Sequence, residues 1–428
     1  MTYAEAIDYL YGLQMFGAKF GLENTFRLAA LAGAPQEKLR FIHVAGTNGK
    51  GSTCAMLESI YRADGLRIGL FTSPHLVSFA ERIQVNRQVA NEREIARLVD
   101  EMHVLLKEFS AEAHPTFFEV VTVMALKYFA EKKCDLVIWE TGMGGRLDAT
   151  NIVTPLASVI TNVQFEHQKW LGNSLAEIAR EKAGIIKPRV PVVTAATEPD
   201  AVEIISKTAR TAKSPLIKVS QVDTRKSPLD KIKLSLIGEH QRWNAALAIA
   251  TTGVLQKQIP VSDEAISNGL GQVEWPGRLQ QIQTSSGQTV LLDGAHNPAG
   301  AMALRDALRD GWLDRNLTFI IGILQDKKWE TICEILAPLA KKIIFVPVSS
   351  ERSATPAELA RALCKKNPAV EVTALESLRA ALDFSARDSL LVITGSLYLV
   401  GEALEILQPV IRATNERGLN EWSAPAKK

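Results

Sequence analysis

The sequence predicts an α/β protein in which a P-loop-type, mostly parallel sheet domain precedes a smaller Rossmann-like α/β domain. Short apolar runs alternate with amphipathic stretches along almost the whole chain, which is typical of βαβ units. A glycine-rich turn follows the first clear apolar run, as in many phosphate-binding domains. The alternation is interrupted near residues 275–290 and then starts afresh, which indicates a second domain.

The first domain is predicted from strand-like runs and the helical stretches between them. Each run is apolar and short, as expected of a strand buried on both faces of a parallel sheet. The strand-like runs are FIHVA (41–45), RIGLF (67–71), DLVIW (135–139), ASVIT (157–161) and VPVVT (190–194). The helix-like stretches are 52–64, 92–109, 119–132 and 174–187, and the last begins with the capping-box pair Ser174 and Glu177.

The second domain is predicted after a change in composition. The segment EWPGRLQQIQTSSGQT is rich in Pro, Gly, Gln and Ser, and a new β/α alternation follows it. The new strand-like runs are TVLLD (289–293), LTFIIGIL (317–324), KIIFVPV (342–348) and SLLVITG (389–395). We therefore divide the chain into residues 1–280 and 281–428.

Composition narrows the classes of partner. A chain of 428 residues is longer than a single hydrophobic core usually supports, so two or three domains are expected. Its formal net charge is +2 and it has no dense Lys/Arg run, so nucleic acid is not expected to bind. No apolar run approaches the roughly 20 residues that span a bilayer, and the N-terminal stretch lacks signal-peptide features. The four widely separated cysteines predict reduced thiols, and we expect a cytoplasmic monomer that does not bind membranes.

The turn AGTNGKGS after the first strand suits a phosphate group. Gly46 and Gly49 permit close backbone approach, and the following helix N-terminus directs free N–H groups at an anion. Lys50 can reach terminal phosphate oxygens. The GxxGK spacing is shorter than the GxxxxGK[ST] pattern, and Gly51 stands where a hydroxyl residue is usual. A plain tight turn is therefore the alternative.

Two further residues are candidate metal ligands. Glu140 ends an apolar strand in ETGMGGRLDATN, at the edge where open α/β sheets bind ligands. A carboxylate there resembles the acid that holds Mg²⁺ in nucleotide sites. His167, in QFEHQKWLG, follows another predicted strand. The alternatives are a solvated acid in a turn and a structural histidine.

Lys182 shares the apolar face of its predicted helix with Ile178, Ala179 and Ile186. Burial disfavours the cation and lowers the pKa of a lysine. A neutral amine could react with carbon dioxide to give a carbamate, an anion suited to a cationic metal site. The alternative is a lysine that extends its amine to water.

More polar residues occur around and beyond the domain boundary. Asn244, in HQRWNAALAIA, offers an amide to a purine ring, and Arg278, in WPGRL, lies at the domain junction. Asp293 and His296 follow the strand in LLDGAHNP, and Ser396 follows the last strand in ITGSLYL. Together these residues predict a polar cleft between the domains.

These motifs together resemble the folylpolyglutamate synthetase and dihydrofolate synthetase family, within the Mur ligase superfamily of ATP-dependent amide ligases. The resemblance covers nearly the whole chain and keeps the family order of motifs. The matching strings are AGTNGKGS, FTSPHL, ERI, ETGMGGRLDATN, FEHQKWLG, AREKAGIIK, HQRWNAALA, WPGRL, DGAHNP, GILQDKK and ITGSLYL. The resemblance implies that the short loop holds ATP and that Gly51 is a family trait.

The resemblance also implies roles for the matching positions. The ATP-binding residues would be Gly46, Thr47, Asn48, Gly49, Lys50, Gly51, Ser52, Asn244, Arg278 and Asp293. The magnesium ligands would be Ser73, Glu140, His167 and Lys182 as its carbamate. The catalytic residues would be Lys50, Lys182, His167 and His296. Substrate contacts would come from Arg146, Asp148, Lys327 and Ser396.

The implied reaction uses ATP and Mg²⁺ to add L-glutamate to the γ-carboxylate of tetrahydrofolates through an acyl phosphate. The strings FGLENTFRLAALAG, FTSPHLVSFAERI and GGRLDATN resemble substrate loops of dual-function bacterial members, which implies dihydrofolate synthase activity on dihydropteroate too. The alternatives are an elongation-only synthase, another Mur-type ligase acting on a cell-wall precursor, and a nucleotide-binding switch without catalysis.

Overall fold

The structure, a computed structural model, describes residues 1–17, 21–312, 316–367, 370–408 and 416–421. The strands of the first sheet are β1 Phe41–Ala45, β2 Ile68–Phe71, β3 Ile83–Val85, β4 Gln88–Val89, β5 Leu136–Glu140, β6 Ala157–Ile160, β7 Val192–Thr194 and β8 Leu216–Lys218. The α-helices around it are α1 Tyr3–Leu13, α2 Glu23–Leu31, α3 Lys50–Ala63, α4 Glu92–Leu106, α5 Phe117–Glu131, α6 Gln168–Leu171, α7 Leu175–Ala183, α8 Pro199–Thr211, α9 Glu239–Leu255 and α10 Asp263–Gly271.

The first sheet runs in the order β4-β3-β2-β5-β1-β6-β7-β8, and it is parallel from β2 to β8. β3 and β4 form an antiparallel edge. Side chains alternate between two cores, so that Phe41 packs with α1, α2, α4 and α5 while Ile42 packs with α3, α9 and α10. The predicted helix-covered parallel sheet is confirmed.

The second sheet is smaller. Its strands are β9 Gln280–Gln283, β10 Thr289–Leu292, β11 Leu317–Ile321, β12 Ala340–Phe345, β13 Glu371–Ala374 and β14 Leu390–Thr394, in the order β13-β12-β11-β14-β10-β9. Its α-helices are α11 Pro298–Trp312, α12 Trp329–Leu336, α13 Pro356–Lys366, α14 Leu378–Phe384 and α15 Leu397–Leu407. All of its strand pairs are parallel except β9–β10.

Two details differ from the sequence expectations. Helix α7 ends at Ala183 rather than near residue 187, because the backbone N–H groups of residues 184–186 bond to carbonyls three residues earlier, and the carbonyl of Glu181 also accepts the backbone N–H of Arg146. Strand β9 was not expected, since only Ile282 of its residues is buried and the stretch is otherwise polar.

The predicted division at residues 280 and 281 stays a prediction. The second sheet begins at Gln280, close to that point. However, the described part of the C-terminal tail, residues 416–421, returns to the first domain, where Leu419 is buried in the core beside α1. The tail therefore follows the second domain in sequence but packs against the first.

The cysteines and the helices bear on two further features of the chain. All four cysteines are free, and Cys54, Cys134 and Cys333 are buried. No helix in the described ranges is long and apolar enough to cross a membrane.

Candidate active site

The carboxyl ends of the parallel strands open onto a cleft of about 920 Å³ between the two domains. Loops after β1, β2, β5 and β6 line one side, and loops after β10, β11 and β14 line the other. This is the edge at which open α/β sheets bind ligands. All but two of the candidate residues line this cleft; of these two, Gly46 begins the loop after β1, and Lys182 contacts the carbonyl oxygen of Gly46.

The loop after β1 is shaped by close contacts. A Cβ atom on Gly46 would lie 1.8 Å from Thr161 Oγ1, and one on Gly49 would lie 2.4 Å from Asn244 Oδ1. Gly49 also has a φ of 82°, which favours glycine. The loop therefore packs too tightly for side chains, and α3 begins directly after it at Lys50, whose Nζ lies 3.2 Å from the carbonyl oxygen of Gly46. An anion at this helix start would meet free N–H groups and an ammonium.

Gly51 and Ser52 lie in the first turn of α3. A Cβ on Gly51 would come within 2.9 Å of the indole Nε1 of Trp275, whereas Ser52 is buried. Trp275 therefore leaves no room at position 51 for the Ser or Thr that follows the lysine in the longer phosphate-loop pattern.

Glu140 ends β5 and is only 3% exposed. Burial raises the pKa of Glu140 to about 7, although the charge of Lys50 opposes the shift. Among the described residues, its one hydrogen bond comes from the backbone N–H of Ser73, at 2.9 Å from Oε2. Glu140 is therefore a buried carboxylate whose oxygens can accept further contacts. This favours its interpretation as a ligand for a divalent cation over the alternative of a solvated acid in a turn.

His167 lines the same cleft and lies directly before α6. Burial lowers the pKa of His167 to about 4, so the imidazole is neutral near pH 7. A neutral imidazole is the form that can ligate a metal.

Lys182 is buried, as predicted, and is 3% exposed. Its Nζ donates to the carbonyl oxygen of Gly46 at 2.8 Å, so α7 holds the phosphate loop from below. Burial, followed by the charge of Lys50, lowers the pKa of Lys182 to about 7. A large fraction of the molecules therefore has a neutral Lys182 amine near pH 7. The alternative prediction, an amine that extends to water, is wrong.

Glu166 is a site residue that sequence reasoning missed. Its Oε1 accepts from His296 Nε2 at 3.0 Å and from Lys327 Nζ at 3.2 Å, so one carboxylate contacts two residues of the second domain. Burial alone would raise the pKa of Glu166, but these two residues hold it well below its usual range. Its position next to the candidate ligand His167, in the motif FEHQKWLG, is the sequence feature that could have identified Glu166 as a site residue.

His296 has a second contact. Its Nδ1 lies 2.7 Å from the carbonyl oxygen of Gly294, while Nε2 faces Glu166. Each ring nitrogen of His296 therefore faces an oxygen acceptor, one in each domain. The cleft thus holds His296 and the ammonium of Lys327 from the second domain together with the loop after β1 of the first.

Several predicted ligand contacts already have protein partners. Asp293 accepts the backbone N–H groups of Leu279 and Ala295, both at 2.9 Å. The hydroxyl of Ser396 accepts the backbone N–H of Tyr398 at 3.1 Å, at the start of α15. These side chains shape the loops of the second domain.

The predicted substrate contacts after β5 are likewise engaged. Asp148 Oδ2 accepts the backbone N–H of Met143 at 2.8 Å, and burial raises the pKa of this carboxyl. Arg146 is exposed and donates to Glu181 Oε1 at 2.9 and 3.0 Å. The role of Arg146 and Asp148 in substrate binding stays a prediction.

Asn244 and Arg278 lie where the loop meets the domain junction. Asn244 Nδ2 donates to Gln241 Oε1 at 2.9 Å, and its amide oxygen faces Gly49. Arg278 Nη1 lies 3.3 Å from the carbonyl oxygen of Gly277. Both side chains reach the cleft, and their contact with nucleotide stays a prediction.

A short glycine-rich loop on a parallel sheet, facing a second α/β domain across a polar cleft, is the arrangement of an ATP-dependent ligase of the Mur type. Residues 44–252 match the Mur ligase middle domain, and residues 277–397 match the Mur ligase, glutamate ligase domain. The chain belongs to the folylpolyglutamate synthase and dihydrofolate synthase family of these ligases, as the motifs indicated.

Relatives in sequence and in structure span the chain. It is 36% identical to a dihydrofolate synthase/folylpolyglutamate synthase of Bacillus subtilis, over 94% of this chain and 98% of that one. A folylpolyglutamate synthase of Mycobacterium tuberculosis, complexed with ADP and AMPPCP, superposes with a TM-score of 0.85 at 30% identity, covering 96% and 100% of the two chains. Escherichia coli FolC, in complex with DHPP and ADP, gives 0.84 at 29%, covering 96% and 98%.

Proposed function

We propose that this enzyme uses ATP to join L-glutamate to the carboxylate of pterin substrates, both extending folates and converting dihydropteroate to dihydrofolate. The observation that carries the proposal is the convergence of Lys50 and Glu140 from the first domain with His296 and Lys327 from the second in one cleft. The names and ligands of the relatives support the same substrates.

The residues of the cleft suit acyl activation. A carboxylate is a poor acyl donor, so its oxygen first attacks the γ-phosphorus of ATP, giving an acyl phosphate and ADP. The glutamate amine then attacks the acyl carbon, and an amide, phosphate and a proton result. Lys50 and the start of α3 would offset charge on the transferring phosphoryl group, and His296 and Lys327 would add donors from the other side.

Magnesium fits the donors at this edge of the first sheet. Glu140 is a buried carboxylate with spare acceptor capacity, and the Ser73 hydroxyl and neutral His167 imidazole belong to the same cleft. In the described ranges, no group of three or more His, Cys, Asp or Glu side chains could hold a metal ion by itself. That suits Mg²⁺, which commonly takes one or two protein ligands, waters and substrate phosphates. When bound, it would neutralise charge on the phosphates.

Lys182 is proposed to carry a carbamate. Its buried, largely neutral amine could add to carbon dioxide with release of one proton. The resulting carboxylate would lie beside the Gly46 carbonyl, at the base of the loop. We expect Lys182→Ala to lose most turnover and to regain part of it with added acetate or formate, measured by ADP release. Full turnover of Lys182→Ala without additive would contradict the proposal.

The test of function is ADP release with glutamate and either dihydropteroate or tetrahydrofolate, run separately. Release with both substrates is expected. Release with tetrahydrofolate alone would mean an elongation-only enzyme, and turnover of nucleotide-linked muramyl peptides instead would mean a cell-wall ligase. ATP binding without release under any condition would favour a nucleotide switch. A cytoplasmic location and a monomeric state stay predictions, and gel filtration checks the second.

A further inference from the structure

Arg82 is a buried cation without a carboxylate partner. It lies directly before β3, lines the cleft and is 3% exposed. It forms no ion pair with any described residue, although a buried charge is normally paired. The neighbouring carboxylate of Glu81 is occupied, because it accepts the backbone N–H groups of Leu76, Val77 and Ser78 at 2.7–2.8 Å.

The hydrogen-bond partners of Arg82 are neutral. Its Nε donates to His75 Nδ1 at 2.9 Å, and its Nη2 donates to Asn420 Oδ1 at 2.6 Å. Because Nδ1 of His75 accepts from Arg82, it carries no hydrogen, and the ring that contacts the guanidinium is a neutral imidazole. The other nitrogen, Nη1, has no hydrogen-bond partner among the described residues. The guanidinium is thus oriented but not neutralised.

The tail segment 416–421 fixes this orientation. His75 Nδ1 accepts from Arg82, so its Nε2 carries the hydrogen that it donates to the carbonyl oxygen of Glu416, at 3.0 Å. Asn420 holds Arg82 through Oδ1 and the backbone of His75 through Nδ2, at 3.0 Å. Leu419, 1% exposed, anchors the segment in the first core. The second domain's chain therefore positions an arginine of the first.

The surroundings of Arg82 indicate which substrate it faces. Its guanidinium carbon lies 5.6 Å from the centre of the Phe117 ring, and Phe118 lines the same cleft. Aromatic walls suit a substrate that carries rings. Ser73 and Glu140, the proposed metal ligands, line the cleft as well, so Arg82, the aromatic rings and the proposed reaction centre share one cavity.

We propose that Arg82 binds a carboxylate of the pterin substrate and that the tail segment 416–421 is its positioning element. The inference rests on the proposed function and adds a substrate-binding residue to it. Guanidinium–carboxylate pairing supplies charge-assisted, often bidentate hydrogen bonds, and the carboxylate completes the missing ion pair. The carboxylate comes either from the benzoate of dihydropteroate or from the terminal glutamyl group of a folate.

The first test is steady-state kinetics of Arg82→Met, with dihydropteroate, tetrahydrofolate, ATP and glutamate each varied in turn. We expect the KM for the pterin substrate to rise about 10- to 100-fold, because a hydrogen bond to a charged group is lost. The KM for ATP should stay within about twofold, as should every constant of the exposed control Arg67→Met.

The two pterin substrates distinguish the source of the carboxylate. A rise for both indicates the reacting carboxylate, which both possess, and a rise for tetrahydrofolate alone indicates the glutamyl α-carboxylate. Unchanged KM values for both pterins, or a rise for glutamate alone, would overturn the proposal. A wild-type enzyme that releases no ADP would instead overturn the proposed function.

A second variant keeps Arg82 but pairs its guanidinium within the protein, so that it is less able to bind a substrate carboxylate. Asn420→Asp puts a carboxylate where the amide oxygen now accepts from Nη2, so the guanidinium gains a permanent partner within the protein. We expect the pterin KM to rise about tenfold or more. The melting temperature should fall in this variant and in Asn420→Ala alike, because neither side chain can donate to the His75 carbonyl as the Nδ2 of Asn420 does. Asn420→Ala, which adds no charge, is the matched control and should raise that KM less. A pterin KM unchanged by Asn420→Asp would overturn the proposal even if Arg82→Met did not fold.

Discussion

The two sheets both present polar residues at their carboxyl ends, but the residues are held differently. At the first sheet, Glu140 and Lys182 are buried with few hydrogen bonds, and the pKa of each is shifted to about 7. At the second sheet, Asp293 and Ser396 already accept backbone N–H groups. Groups that lack partners within the protein are the ones available to ligands, so we expect the first sheet to carry the reactive chemistry. The second sheet supplies shaped loops and the side chains of His296 and Lys327, which reach across to Glu166.

The largest effect is expected from Lys50→Ala at the first sheet. The change removes an ammonium that faces the phosphate position and little packing, because Lys50 is partly exposed on its loop. Turnover should fall about a hundredfold or more, while the melting temperature stays close to that of the wild type. Parallel ADP-release and thermal-unfolding assays measure both. Turnover near normal would remove the phosphate assignment.

Glu140→Gln separates activity from stability at the same edge. Folding raises the pKa of Glu140 from 4.5 to about 7, so its contribution to stability is complete below pH 4.5 and is lost as the pH rises through 7. The glutamine has no such charge and should be more stable than the wild type at pH 8, on the order of a few kcal/mol, yet nearly inactive. Denaturant unfolding at pH 5 and pH 8 measures the difference. Equal stability gains at both values would contradict this account.

Asp293→Ala should have the opposite pattern at the second sheet. Removal of the carboxylate leaves the N–H groups of Leu279 and Ala295 without their acceptor in a buried turn. The free energy of unfolding should fall by about 1–3 kcal/mol. Asp293→Asn, which keeps one acceptor, should recover part of that loss. A variant with unchanged stability but no ATP binding would show that Asp293 acts on the nucleotide instead.

Local sequence predicted much of this arrangement. Apolar runs located the main strands, and strand-end motifs located Lys50, Glu140 and His167, because a parallel sheet gathers its carboxyl ends at one edge. The spacing around Lys182 placed it on an apolar helix face, although α7 ends before Ile186, but only the structure excluded an amine that reaches water.

The remainder depended on contacts between distant parts of the chain. Glu166 meets partners 130 and 161 residues further on, and no local pattern records such a pairing. Strand β9 is polar and gains its place only by pairing with β10. The contact between His75 and Asn420 spans 345 residues, so the anchoring of Arg82 could not be foreseen from the string ERI.

The buried Leu419 has a consequence for the order in which the protein is made. A ribosome finishes the first domain's strands and helices long before it adds this leucine, yet the core around α1 includes the Leu419 side chain. While the second domain is synthesised, the core of the nascent first domain therefore lacks the Leu419 side chain. Vectorial synthesis and final packing thus run in different orders, and the cleft is complete only once residue 421 has left the exit tunnel.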